Sequence, residues 1–226
     1  TMNVTGTNVS DPSFPGSETG TTITLDAGSY NVDEISLPGY AKTIGTNCSG
    51  TIANGEQKTC TITNNDIQPR LTVTKVIIND NGGTKTISDF PLFVDQTQVT
   101  SGGQNGFDAG AYTVSETGQF GYSGVITGDC AANGTITLQP GDVKSCTITN
   151  NDIAPQLTVV KNVINDNGGT KVAGDFTMNV TGTNVSDDSF PGSEAGTTIT
   201  LNQGSYGVDE SSVFGYAKSL SADCSG

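Results

Sequence analysis

The 226-residue sequence contains no histidine and no tryptophan, and only nine of its residues are lysine or arginine. The lack of histidine removes the commonest general base. No nucleophile motif or phosphate-binding loop is visible, so we do not expect an enzyme acting on an external substrate. The formal net charge of −14 argues against nucleic acid and anionic membrane surfaces as partners, because both reward clusters of basic residues. No apolar run approaches the roughly 20 residues of a membrane span.

Apolar residues are also scarce, at 33% of the chain, which leaves a thin core for small modules. Five cysteines fall at repeating places: Cys48 with Cys60, Cys130 with Cys146, and Cys224 at the position equivalent to Cys48. We predict one disulfide per module, with the partner of Cys224 lying beyond the last residue. Zinc is disfavoured because the chain has neither a CxxC pair nor a histidine. Persistent disulfides predict an extracellular or cell-surface location.

The sequence is a tandem repeat. Residues 1–50 reappear with substitutions as residues 177–226, and CTITNND at Cys60 recurs at Cys146. Two unequal modules therefore make one long period. We expect the array to continue in both directions rather than to exchange segments end to end. The predicted modules are 1–66, without its first strands, a complete module at 67–152, and 153–226, without its last strands.

The complete module is predicted to consist of about seven strands. The strands are expected in LTVTKVII, TKTISDFPLFV, FDAGAYTVSE (two short strands), GYSGVITGDC and the hairpin GTITLQPGDVKSCTITN. Alternating Thr, Val and Ile with no helical periodicity indicates an all-β, immunoglobulin-like sandwich. We expect the modules to be stacked end to end, since an odd strand count brings the chain out at the opposite pole. The short linkers are stiffened by Pro69 and Pro155.

Strand alternation places polar residues on the core face. Lys75, Glu116 and Asn150 each follow two predicted buried positions on the same face of a strand. The neighbouring modules repeat the arrangement with Glu34, Asn64, Lys161 and Glu210. Burying an unpaired lysine is costly. From the pattern alone these residues form either a buried ion pair or strand ends that reach solvent.

The segments LTVTK, YTVSE and TITN, in this order, resemble the prealbumin-like (Cna-B or SpaA-type) domains of bacterial surface adhesins and pilins. The resemblance implies a prealbumin-like sandwich and an internal isopeptide bond. In such a bond the amine of Lys75 would attack the carboxamide of Asn150, Glu116 would shuttle the protons, and ammonia would leave. Glu34 with Asn64, and Lys161 with Glu210, would be the members present of two further sets.

Oxygen-rich turns are predicted near the module junctions. With an odd strand count, NDNGG after the first strand and NNDI at the exit lie at the same pole. Carboxylate and amide oxygens on turns are the ligands that Ca²⁺ selects. The candidate ligands are Asn79, Asp80, Asn81, Asn151 and Asp152, with Asn65, Asp66, Asn165, Asp166 and Asn167 in the equivalent turns and Asp187, Asp188 or Asp209 approaching from the next module. The alternative is ordinary hairpin-turn chemistry.

The sequence thus predicts a structural region of an extracellular tandem-repeat fibre or surface stalk. Its expected partners are neighbouring modules of the same chain, and other fibres or a surface glycan are further candidates. The alternative is an adhesin that binds a glycan or host surface through the long variable loop, in which Phe14 and Phe190 are candidate sugar platforms.

Overall fold

The computed structural model describes all 226 residues and contains β-strands and single turns of 3-10 helix, with no α-helix. The predicted all-β class is confirmed. No helix in the chain has the length and apolar character needed to cross a membrane. The chain forms two compact units, one of Thr1–Thr72, Gln104–Thr113 and Thr135–Ser145 and the other of Val73–Gly103, Val114–Gly134 and Cys146–Gly226.

The first 66 residues contain six strands in two sheets. The strands are β1 (Met2–Thr5), β2 (Ser13–Phe14), β3 (Gly28–Glu34), β4 (Tyr40–Ile44), β5 (Ser49–Ile52) and β6 (Ile62–Asp66). The larger sheet has the order β2-β1-β3-β5, and β4 pairs with β6 in the smaller one. The register places Lys42 of β4 directly opposite Asn64 of β6.

Residues 67–152, which we call the central module, contain eight strands. These are β7 (Arg70–Ile78), β8 (Leu92–Val94), β9 (Thr97–Val99), β10 (Gln104–Gly106), β11 (Gly110–Glu116), β12 (Tyr122–Gly128), β13 (Thr135–Leu138) and β14 (Val143–Asp152). They belong to two four-stranded sheets, β10-β7-β14-β12 and β13-β11-β8-β9. Burial alternates along β7, where Leu71, Val73 and Lys75 are buried, as the period-2 pattern predicted.

Three strand predictions in the central module were wrong in detail. TKTISDFPLFV is not one strand, because Asp89 accepts a hydrogen bond from the Thr86 backbone and closes a 3-10 turn before β8. FDAGAYTVSE holds one strand rather than two. The predicted hairpin is instead a connection between sheets, since β13 pairs with β11 and β14 pairs with β12. Two alternating segments around a turn fit either arrangement equally well in sequence.

Residues 153–226 contain five strands. They are β15 (Gln156–Val159), β16 (Thr177–Thr181), β17 (Ser189–Pro191), β18 (Thr197–Thr200) and β19 (Gly207–Glu210), in the sheets β15-β18 and β17-β16-β19. Their core includes Val159, Met178, Ile199 and Phe190. The prediction that Phe190 is an exposed sugar platform is therefore wrong, because β17 turns its ring into this core. Phe14 is partly buried.

Candidate functional site: a buried lysine, glutamate and asparagine

Three strands of the central module bring Lys75, Glu116 and Asn150 together. Lys75 lies on β7 and Asn150 on β14, which are neighbours in one sheet, while Glu116 ends β11 of the other sheet. The same alternation that buries Val73, two residues before Lys75, and Ile148, two residues before Asn150, directs both polar side chains inward. The predicted common face is therefore present.

The distances within the cluster are short. Lys75 Nζ lies 2.5 Å from Asn150 Oδ1 and 2.8 Å from Glu116 Oε2, and it also donates to the Ile148 carbonyl at 3.4 Å. The lysine side chain is fully buried and the glutamate side chain is 13% exposed. Glu116 Oε2 receives no well-aligned hydrogen bond. Its 2.8 Å contact with Lys75 Nζ fits either a charged pair or a neutral amine beside a carboxyl group.

Burial of Lys75 favours its neutral amine, whereas Glu116 and the Phe90 ring favour the charged form. Burial lowers the pKa of Lys75 below its usual value, and the nearby Glu116 only partly opposes this shift. The Phe90 ring lies beneath the amine, with Nζ 4.7 Å from the ring centroid. A neutral amine is the nucleophilic form of lysine. The lowered pKa increases the share of neutral amine at a site where Nζ contacts both the Asn150 carboxamide and the Glu116 carboxyl group.

The other two modules assemble the members of this set that they contain. Asn64 Nδ2 donates to Glu34 Oε2 at 2.6 Å. Lys161 Nζ lies 2.7 Å from Glu210 Oε2 and 4.2 Å from the centroid of the Phe176 ring. Four of the predicted residues thus form pairs that match the Lys75, Glu116 and Asn150 cluster.

Sequence reasoning missed the aromatic floor of the site. Phe90 follows Asp89 at the end of a 3-10 turn, and Phe176 follows Asp175 at the end of an equivalent turn. Both rings are almost fully buried. The available signal was an Asp-Phe dipeptide that follows Lys75 and Lys161 at the same spacing. The sequence around the dipeptide does not indicate that its ring packs against the lysine.

The predicted disulfides are present. Cys48 is bonded to Cys60 and Cys130 is bonded to Cys146, whereas Cys224 is a free thiol. Cys146 lies on β14 four residues before Asn150, on the same buried face. The bond therefore clamps the start of the strand whose far end carries the asparagine.

The candidate metal ligand Asp152 accepts several backbone hydrogen bonds in this structure. Its carboxylate accepts backbone N–H groups of Asp80 at 3.0 Å, Asn81 at 2.9 Å and Gly83 at 2.6 Å. Burial by itself would raise the pKa of Asp152, but the backbone hydrogen bonds from Gly83 and Asn81 outweigh it, so the pKa lies below its usual value. Asp152 thus fastens the NDNGG turn, and Tyr122 adds a hydrogen bond from its hydroxyl to Asn79 Oδ1 at 2.6 Å.

The remaining candidate ligands are spread over several contacts. Asn165 accepts from the Tyr216 hydroxyl, Asn167 donates to Asp166, and Asp209 pairs with Lys218. Asn65 and Asp66 are exposed on β6, and Asn151 has a buried Oδ1 without a hydrogen-bond partner. Asp187 accepts from the Ser189 backbone, and the Asp188 carbonyl accepts from Val180.

The residues of 153–226 that reach the NDNGG turn are Asn202 and Gln203. Asn202 Nδ2 donates to the Asp80 carbonyl at 3.3 Å, and the Gln203 backbone N–H donates to the Asn81 carbonyl at 2.8 Å. No group of three or more Asp, Glu, Cys or His side chains lies close enough together to hold a metal ion. A calcium ion bound by Asp152 would have to replace backbone hydrogen bonds, and calcium at the junctions stays a prediction.

Two comparisons with known proteins bear on the whole arrangement. A family model described as a prealbumin-like fold domain matches residues 66–148 and again residues 152–226. These two tandem matches cover more than half of the chain, and the first contains Lys75 and Glu116. No curated protein matches the chain.

Proposed function

Because this chain belongs to the prealbumin-like fold domain family, we propose that it is a structural region of an extracellular tandem-repeat fibre or surface stalk whose modules are locked by covalent cross-links. The repeat of the family domain along the chain supports the tandem architecture. The two disulfides support an oxidising, extracellular location.

The observation that carries the proposal is the contact of Lys75 Nζ with Asn150 Oδ1 and Glu116 Oε2. In the proposed reaction the neutral Lys75 amine attacks Cγ of Asn150. The Nζ–Cγ bond forms, the Cγ–Nδ2 bond breaks, and the amide nitrogen leaves as ammonia. Glu116 takes a proton from Nζ and delivers one to Nδ2, so that the carboxyl group ends in the state in which it began.

The competing interpretation is a buried ion pair without chemistry. A buried pair is weak evidence for stability, because desolvation offsets most of the Coulomb attraction. A third polar partner at 2.5 Å from the amine is not needed for an ion pair. It is needed for amide exchange, and this is why we favour the cross-link.

Mass spectrometry of the reduced, denatured 226-residue chain tests the proposal. The wild type should weigh less than its calculated mass by one ammonia, and digestion should yield a branched peptide joining Lys75 to Asn150. Glu116→Ala should restore the full mass. Glu34→Ala is a matched control and should leave the cross-link intact, because Glu34 contacts the Asn64 side chain in another module. A wild-type chain of full calculated mass would refute the cross-link.

An adhesin function through the long loop has less support. Phe190, one of its two proposed sugar platforms, is buried in the core of residues 153–226. The fibre or stalk therefore remains the function that the site favours.

A further inference from the structure

The residue directly opposite the cross-link asparagine differs between modules. Lys42 on β4 faces Asn64 on β6, whereas Gly124 on β12 faces Asn150 on β14. Lys218, two residues after Tyr216, holds the same place in residues 153–226 that Lys42 holds two residues after Tyr40. Residues opposite each other on neighbouring strands share a face. The side chain at this position therefore borders the cross-link site.

The two lysines make the same contacts. Lys42 Nζ donates to the Glu34 carbonyl at 2.7 Å and to Asp33 Oδ1 at 2.6 Å. Lys218 Nζ donates to the Glu210 carbonyl at 2.9 Å and pairs with Asp209. Each lysine thus ties its own strand to the backbone of the glutamate in its site.

Asp33 and Asp209 interact with these two lysines. The hydrogen bond from Lys42 is the main reason that the pKa of Asp33 is lowered, and Lys218 has the same effect on Asp209. We call the two pairs, Asp33 with Lys42 and Asp209 with Lys218, the Lys–Asp straps.

The central module lacks both halves of the strap. Ser115 stands in place of the aspartate and Gly124 in place of the lysine. A Cβ atom on Gly124 would lie 2.9 Å from Asn150 Oδ1 and 3.0 Å from Glu116 Oε1. Gly124 does not have a positive φ, so a larger residue here would crowd Asn150 and Glu116 rather than strain the backbone. The ends of the two reactive side chains fill the slot beside Gly124.

We propose that the residue opposite the asparagine is a positioning residue for the asparagine and glutamate side chains. According to whether this residue is glycine or lysine, the modules have one of two classes of cross-link site. In the glycine class, the slot over Gly124 lets Asn150 and Glu116 approach Lys75. In the lysine class, a Lys–Asp strap holds the glutamate backbone instead. The lysine and the aspartate are both present in residues 1–66 and 153–226, and both are absent from the central module. This inference rests on the proposed cross-linking reaction.

The effect of positions 115 and 124 on the cross-linking rate follows from the space and the charge beside Lys75. Gly124→Ala adds a methyl group that pushes the Asn150 carboxamide away from Lys75, and a displacement of about 1 Å in a reacting group can cost a hundredfold in rate. Gly124→Lys adds a cation beside the Lys75 amine without a counter-charge. Adding Ser115→Asp to Gly124→Lys supplies that counter-charge and rebuilds the strap.

Timed mass spectrometry of the full chain made by cell-free synthesis tests the inference. We expect Gly124→Ala and Gly124→Lys to slow the loss of ammonia by roughly ten- to a hundredfold. The double variant Ser115→Asp/Gly124→Lys should cross-link at least tenfold faster than Gly124→Lys. Ser123→Ala, on the exposed neighbouring position of β12, should react at the wild-type rate. Near-ultraviolet circular dichroism of each variant checks that the module is folded.

The outcomes separate the inference from the proposed function. Wild-type chain that never loses ammonia refutes the cross-link itself. If the wild type reacts, folded Gly124→Ala reacting at the same rate overturns the role of Gly124. A double variant no faster than Gly124→Lys overturns the coupling between positions 115 and 124.

Discussion

Stretching the chain from its two ends should reveal the cross-link as missing length. Lys75 and Asn150 are separated by 75 positions in sequence, and an extended chain spans at most about 3.3–3.6 Å per residue. A covalent bond between them would withhold about 250–270 Å of contour length when the central module unfolds. Glu116→Ala should release this length, because it removes the group that carries protons between Lys75 and Asn150.

Length is more informative here than the unfolding force. Glu116→Ala also leaves Lys75 buried without its counter-charge, which by itself destabilises a module by about 3–5 kcal/mol. The unfolding force is therefore expected to fall in this variant for two reasons at once. The released length depends only on whether Lys75 and Asn150 are joined.

The assay is single-molecule force spectroscopy in a reducing buffer. Reduction removes the Cys130–Cys146 bond, which would otherwise hold back the 16 positions it encloses. Glu34→Ala serves as the control and should release the same length as wild type. Equal released lengths for wild type and Glu116→Ala would refute the cross-link.

Three further predictions concern the turn, the disulfide and calcium. Asp152→Asn should lower the free energy of unfolding by about 2–3 kcal/mol. Because the pKa of Asp152 in the folded chain lies below its usual value of 3.8, the stability from this group is present above that pH and is lost as the pH falls below it. Other carboxyl groups with lowered pKa values, such as Asp33 and Asp209, titrate in both proteins. Urea unfolding across this range should therefore show a larger loss of stability in wild type than in Asp152→Asn. Replacing Cys130 and Cys146 by serine should cost about 3 kcal/mol for a loop of this length, and calorimetry showing no drop in melting temperature would contradict this value. Calcium at the junctions should raise the melting temperature relative to chelator at matched ionic strength, and coincident curves would rule it out.

Much of the candidate site was predictable because β-strands have a period of two. Leu71, Val73 and Lys75 share a face whatever the rest of the fold does. The same holds for Cys146, Ile148 and Asn150. Repetition of these segments at matching places then identified which polar residues belong together, and the cysteine spacing identified the disulfides.

The residue types of the NDNGG turn did not decide between a cation site and an ordinary turn. The NDNGG segment was correctly predicted as a turn, but its oxygen atoms suggested a cation site. In the folded chain the turn directs the N–H groups of Asp80, Asn81 and Gly83 toward the Asp152 carboxylate, and the cation site stays a prediction. The sequence pattern is the same for both arrangements, because it does not specify which side of a turn faces its neighbour.

The sequence by itself determined the all-β class, the tandem family domain, the cysteine pairs and the inward direction of Lys75, Glu116 and Asn150. These features follow from local periodicity and from repetition. Only the tertiary structure decided that Phe90 lies beneath Lys75, that Phe190 is buried, and that position 124 borders the asparagine. Each of these depends on strand register and on which sheet a strand joins, and these are set by packing between segments far apart in the chain.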